Sequence, residues 1–124
     1  MPKRLDDVAP PTAGDEWRLQ FGTSEAAADW PQLCAQFPGN TREAWERMRH
    51  HPLERTPTQK PLAGKLAKRL VRGTTLPQWQ IDISSGARVQ YCVDERQHRV
   101  WLMNASAGHP GGTLAKGKRS SRNR

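Results

Sequence analysis

Arg88 and His109 are the two residues of this 124-residue chain whose types and placement suit chemistry on a phosphate. Arg88 opens the alternating run Arg88-Val89-Gln90-Tyr91-Cys92-Val93, and His109 falls in Gly108-His109-Pro110, just after a third apolar run. A planar guanidinium holds two phosphate oxygens at once. An imidazole, with an ordinary pKa of about 6.5, exchanges a proton at neutral pH. Plainer roles compete with these: a solvated arginine pairing across to Asp82 or Gln80, and a turn histidine before Pro110.

The elements that must position this pair are three short runs. Trp79-Gln80-Ile81-Asp82-Ile83, the run from Arg88 to Val93, and Val100-Trp101-Leu102-Met103 are joined by the polar turns Ser84-Ser85-Gly86 and Asp94 to His98. Alternation with short polar turns predicts an antiparallel meander. Side chains alternate across a strand, so Trp79, Ile81, Ile83, Val89, Tyr91 and Val93 share one face. The other face receives Gln80, Asp82, Arg88, Gln90 and Cys92, and is expected to be open and polar. The last run is apolar on both faces, which places it at the centre of the sheet and leaves the side of Trp101 unassigned.

Upstream, Trp17 to Phe21 alternates and reads as a first strand, adding Arg18 and Gln20 to the polar face. Thr23 or Ser24 caps a helix whose apolar stripe is Ala26, Ala27, Trp30, Leu33, Cys34 and Phe37. Pro31 is expected to kink or split it, and Pro38-Gly39 to end it. Asn40 or Thr41 then caps a second helix, with Ala44, Trp45 and Met48 buried, Glu43, Glu46, Arg47 and Arg49 wet, and Pro52 as its stop. Residues 53–61 read as a loop, and 62–73 as a basic strand carrying Lys65, Lys68, Arg69 and Arg72 without an acid. Trp30, Trp45 and Tyr91 are assigned to the core. The fold class is therefore α+β: a helical hairpin packed on one face of a mostly antiparallel, four- to five-stranded twisted sheet.

Length allows one domain, with about 90 residues for its core. Residues 1–15 read as a flexible arm, 16–113 as the folded domain and 114–124 as a disordered basic tail. The formal charge is +8 and the pI about 10.3, which favours an anionic partner. Five of those charges belong to the tail (Lys116, Lys118, Arg119, Arg122 and Arg124), so the domain itself carries about three. No apolar run reaches membrane-spanning length and none follows Lys3-Arg4, so a cytoplasmic location without a membrane partner is expected. Cys34 and Cys92 read as free buried thiols, with one disulfide as the alternative. They and the four histidines lack metal-site spacing, so no metal or cofactor is expected.

In order and spacing, several segments resemble the RelE/ParE superfamily of type II toxin–antitoxin toxins, in their RelE-like, actinobacterial form. They are Trp30-Pro31-Gln32-Leu33-Cys34-Ala35, Pro38-Gly39-Asn40, Ala44-Trp45, Pro61-Leu62-Ala63-Gly64-Lys65-Leu66, Trp79-Gln80, Arg88 to Cys92, and Gly108-His109-Pro110. The resemblance covers roughly residues 16 to 113. It implies a toxin that cuts messenger RNA on the ribosome without a metal and is neutralised by a cognate antitoxin protein. It also implies Arg88 as the phosphate-stabilising cation and His109 as an acid/base or phosphate-contacting residue. Lys65, Lys68, Arg69, Arg72, Gln80 and Gln90 become the candidate RNA-binding residues. The chain departs from the pattern at Gln80 and Asp82, where lysines are usual, and in having no tyrosine after His109. A ParE-like inhibitor of gyrase, or a degenerate RNA-binding module of the same fold, are the alternatives the resemblance leaves open.

Overall fold

A computed structural model describes residues 3–108. Its elements run β1 (Arg18–Phe21), α1 (Ser24–Gln36), α2 (Pro38–His50), β2 (Gln59–Pro61), a single 3-10 turn (Gly64–Leu66), β3 (Lys68–Val71), β4 (Thr74–Asp82), β5 (Arg88–Asp94) and β6 (Arg99–Ser106). Six strands follow the order β1-β6-β5-β4-β2, with β3 paired to the first half of β4. All pairings are antiparallel except β1 with β6. The class is α+β, with two helices and an open, mostly antiparallel sheet.

The meander forms as its alternation requires, and β6 is flanked on both sides, as a strand apolar on both faces should be. Trp79, Ile81, Ile83, Val89, Tyr91, Val93, Val100 and Leu102 make one core with Ala26 and Leu33 of α1 and Ala44 and Met48 of α2. One strand was hidden. β2 interrupts the expected 53–61 loop, because Gln59 is fully buried and its Nε2 donates to the His51 carbonyl (2.8 Å) and to the Tyr91 hydroxyl (2.9 Å). The Tyr91 hydroxyl in turn donates to the Pro52 carbonyl (2.7 Å), which ties the end of α2 to the sheet. The strand expected over 62–73 forms only as β3, after the 3-10 turn, and is the outer strand of a hairpin turning at Arg72 (φ 49°) and Gly73 (φ 86°). A left-handed pair of that kind matches the twist of a two-residue hairpin.

The helices differ from expectation at their prolines. Thr23 caps α1, accepting from the Ala26 N–H at 3.0 Å while its hydroxyl donates to the Met103 carbonyl at 2.8 Å. α1 then runs through Pro31 without a break. Proline removes one hydrogen bond, whereas packing of Ala26 and Leu33 into the core, with Trp30 and Phe37 half-buried beside them, holds the helix together. Pro38 starts α2 instead of ending α1, since a proline in the first turn lacks only an N–H that no carbonyl would meet. Asn40 and Thr41, which look like caps, bind across elements: Asn40 Nδ2 donates to the Ile83 carbonyl (3.0 Å) and buried Thr41 Oγ1 to the Leu33 carbonyl (3.0 Å).

Burial corrects five assignments. Ala27 and Cys34 are exposed on α1, and Trp30 and Trp45 only half-buried. Both cysteines are free; Cys34 is at the surface and Cys92 fully buried. Arg49, expected on the wet face, is 8% exposed, lies over the Trp45 ring at 4.3 Å and donates to Glu16 Oε1 at 2.6 Å. Its aliphatic stem and a partner far away in sequence make that burial possible. Among the described residues, no helix is long and apolar enough to cross a membrane.

Candidate functional site

The helix-free face of the sheet is divided. Beneath the β3 hairpin, Val71, Leu76, Cys92, Trp101 and Met103 form a second apolar cluster, which settles the side of Trp101. Cys92 therefore does not stand on an open polar surface; burial pushes its thiol up to about 11. The other half of the face stays bare. There β4 presents Gln80 and Asp82, β5 presents Arg88 and Gln90, and β6 presents Asn104 and Ser106, in the registers Asp82↔Arg88↔Ser106 and Gln80↔Gln90↔Asn104.

A β-bulge makes this row continuous. Tyr91 faces Leu102 while Gln90 faces Asn104, so Met103 is an extra residue on β6. An inserted residue shifts the alternation of everything after it. Trp101 and Met103 point to the second cluster before the bulge, and the even-numbered Asn104 and Ser106 point to the same face after it. Ala105 is returned to the main core. Asn104 was missed in the sequence, because neighbouring apolar residues Leu102 and Met103 give no sign of a bulge.

Side chains link across this row. Arg69 of β3 reaches over the sheet and its Nη1 donates to Asn104 Oδ1 at 2.8 Å. Gln90 Nε2 donates to Gln80 Oε1 (3.2 Å), and Gln80 Nε2 to Asp82 Oδ1 (3.3 Å). Arg88 is exposed and, among the described residues, forms no ion pair, although Asp82 is its neighbour in register. Two clefts border the row. One, of about 220 Å³, is lined by Asp29, Gln32, Asn104, Ser106 and Gly108; the other, of about 190 Å³, by Asn40, Glu43, Arg47, Thr58 and Asp82.

His109 lies outside the described residues, as does the 114–124 tail. Gly108, the residue before it, has φ 83°, and a Cβ there would meet the Gly86 carbonyl carbon and oxygen at 3.0 Å. That close approach fixes the end of the described chain against the β4–β5 turn, two residues ahead of Arg88. The remaining cations are not gathered with Arg88. Lys68 and Arg72 are exposed on the outer side and at the tip of the β3 hairpin, and Lys65 on the 3-10 turn. Arg72 lies roughly 25 Å along β4 from the Asp82–Arg88 pair, taking about 3.3 Å per residue. Of the expected basic run, Arg69 alone joins the row.

Chemically, the row offers one free guanidinium, one carboxylate, and amide donors and acceptors on a water-exposed platform. Among the described residues, no group of three or more His, Cys, Asp or Glu side chains could hold a metal ion. No family model matches the chain, and no curated protein matches it.

Proposed function

We propose that this protein is a RelE-like toxin, an endoribonuclease that cuts messenger RNA and is neutralised by a cognate antitoxin in the cytoplasm. The observation that carries the reading is the bare polar row with exposed Arg88 at its end, beside the turn against which Gly108 packs. The order of strand, helical hairpin and meander agrees with the resemblance, though it does not by itself define the family.

In the proposed reaction the ribose 2′-oxygen forms a bond to the adjacent phosphorus, and the bond from phosphorus to the 5′-oxygen breaks. The products are a 2′,3′-cyclic phosphate and a 5′-hydroxyl. Arg88 holds the phosphate oxygens as negative charge builds on them. Asp82, in register with Arg88, takes the 2′-hydroxyl proton, and His109 supplies one to the leaving 5′-oxygen. Arg69, Gln80 and Gln90 bind the RNA alongside; Lys65, Lys68 and Arg72 add long-range attraction. An antitoxin that lays an amphipathic segment over this face would shut the site.

The test is purified protein with messenger RNA, with and without ribosomes and in the presence of a chelator. Cyclic-phosphate ends are expected, and the Arg88→Ala variant should lose roughly 10²-fold in rate. Intact transcripts with the wild-type chain would refute the reading. Gln80 and Asp82, in place of the usual lysines, favour a second one: a non-catalytic member that binds RNA, or inhibits gyrase as ParE-like proteins do. Supercoiling defects with RNA intact would select the gyrase form.

A further inference from the structure

The amide chain on the bare row has a direction, imposed by its two charged ends. Asp82 can only accept, so Gln80 must turn its Nε2 toward it; Gln80 Oε1 then faces Gln90 and receives Gln90 Nε2. At the other end Arg69 can only donate, so Asn104 must turn its Oδ1 toward it. Each half of the chain leaves one group over. Gln90 Oε1 remains an acceptor and Asn104 Nδ2 a donor, and among the described residues neither has a hydrogen-bond partner. Gln90 and Asn104 are cross-strand partners, so the two side chains that carry these free groups are neighbours on the same face.

We infer that Gln90 Oε1 and Asn104 Nδ2 form a base-reading site, a bidentate donor–acceptor pair for the edge of one unpaired nucleobase. This rests on the proposal that the face binds RNA. Unpaired bases present adjacent donors and acceptors on their edges, and paired amides are a common complement to them. The cleft of about 220 Å³ that Asn104 lines with Asp29 and Gln32 of α1 does not reach Gln90, so the base lies over the open row itself. Arg88 stands two residues along β5 from Gln90, about 7 Å away, within the span of one nucleotide. The site thus divides its labour: Arg88 takes the phosphate, and the Gln90–Asn104 pair selects the base.

The discriminating variant is Asn104→Asp, which keeps the side-chain shape and the bond from Arg69 but turns the free donor into an acceptor. Asn104→Ala, which adds no charge, is its companion. Binding of the full chain to labelled oligo-A, oligo-C, oligo-G and oligo-U is measured by fluorescence anisotropy at one salt concentration. Asn104→Asp lowers all affinities through its charge, so the ranking is the readout. The wild type should separate best from worst by at least about fivefold. Asn104→Asp should reorder the four and Asn104→Ala should level them. An unchanged ranking in both variants, or a wild type indifferent to base, overturns the inference. Cleavage of the same oligonucleotides is scored in parallel. Base-dependent binding without cleavage would refute the ribonuclease alone, and cleavage without base ranking would refute the base-reading site alone.

Discussion

Two halves of one sheet face, built from the same three strands, have opposite characters. Toward one end, Leu76, Cys92, Trp101 and Met103 are sealed under Val71 of the β3 hairpin. Toward the other, Gln80, Asp82, Arg88, Gln90, Asn104 and Ser106 lie open. The strand geometry is shared, so the difference lies in composition and in what folds back over it. The hairpin ends where Arg69 touches Asn104, and that contact is the border between a surface that stabilises and a surface free to bind.

Truncation should separate the halves most sharply. Trp101→Ala empties the sealed half and should cost about 3–5 kcal/mol, read as a lower urea midpoint. Arg88→Ala, on the open half, should leave that midpoint almost unmoved while removing the roughly 10²-fold in RNA cleavage. If Arg88→Ala unfolds the protein instead, the open half is structural and the contrast fails.

Gly108→Ala probes the link between the β4–β5 turn and the chain leading to His109. A left-handed alanine pressed against the Gly86 backbone should cost about 1–2 kcal/mol and reduce cleavage without deleting any functional group. Unchanged activity would show that this approach does not position the site.

The smallest effect concerns the thiols. In the folded protein only Cys34 should react with a thiol reagent, and Cys92 only after denaturation. Partial desolvation at the helix surface raises the Cys34 pKa as well, so less thiolate is present at a given pH, and labelling should run slower than for free cysteine and quicken as pH rises. Rapid labelling of both thiols would mean that the β3 hairpin opens readily.

Much of this arrangement was legible in the alternation. The parity of Trp79, Ile81, Val89 and Tyr91 assigns the helix-covered face directly, because period two has one solution where one side is buried. The double apolarity of Val100 to Met103 places β6 inside the sheet. What stayed hidden depends on partners distant in the chain. Gln59 looks like a loop residue until Tyr91 and the His51 carbonyl receive it. Arg49 looks solvated until Glu16 and Trp45 enclose it. Arg69 cannot be distinguished from Lys68 by charge, yet strand parity turns one toward the row and the other to water. Pro31 and Pro38 mislead for a different reason, since a local rule about one missing N–H says little about how Ala26 and Leu33 anchor the helix in the core.

The extra residue at Met103 sets the phase of everything after it. Remove that one residue and Asn104 and Ser106 would rotate inward against α1, while Ala105 and Ala107 would replace them on the outside. The open half would become a patch of alanine and two polar groups would enter the core. A sequence variant one codon shorter here would keep every residue type proposed to bind RNA and present fewer of them to it. In this domain, spacing is as heritable a determinant of the surface as side-chain identity.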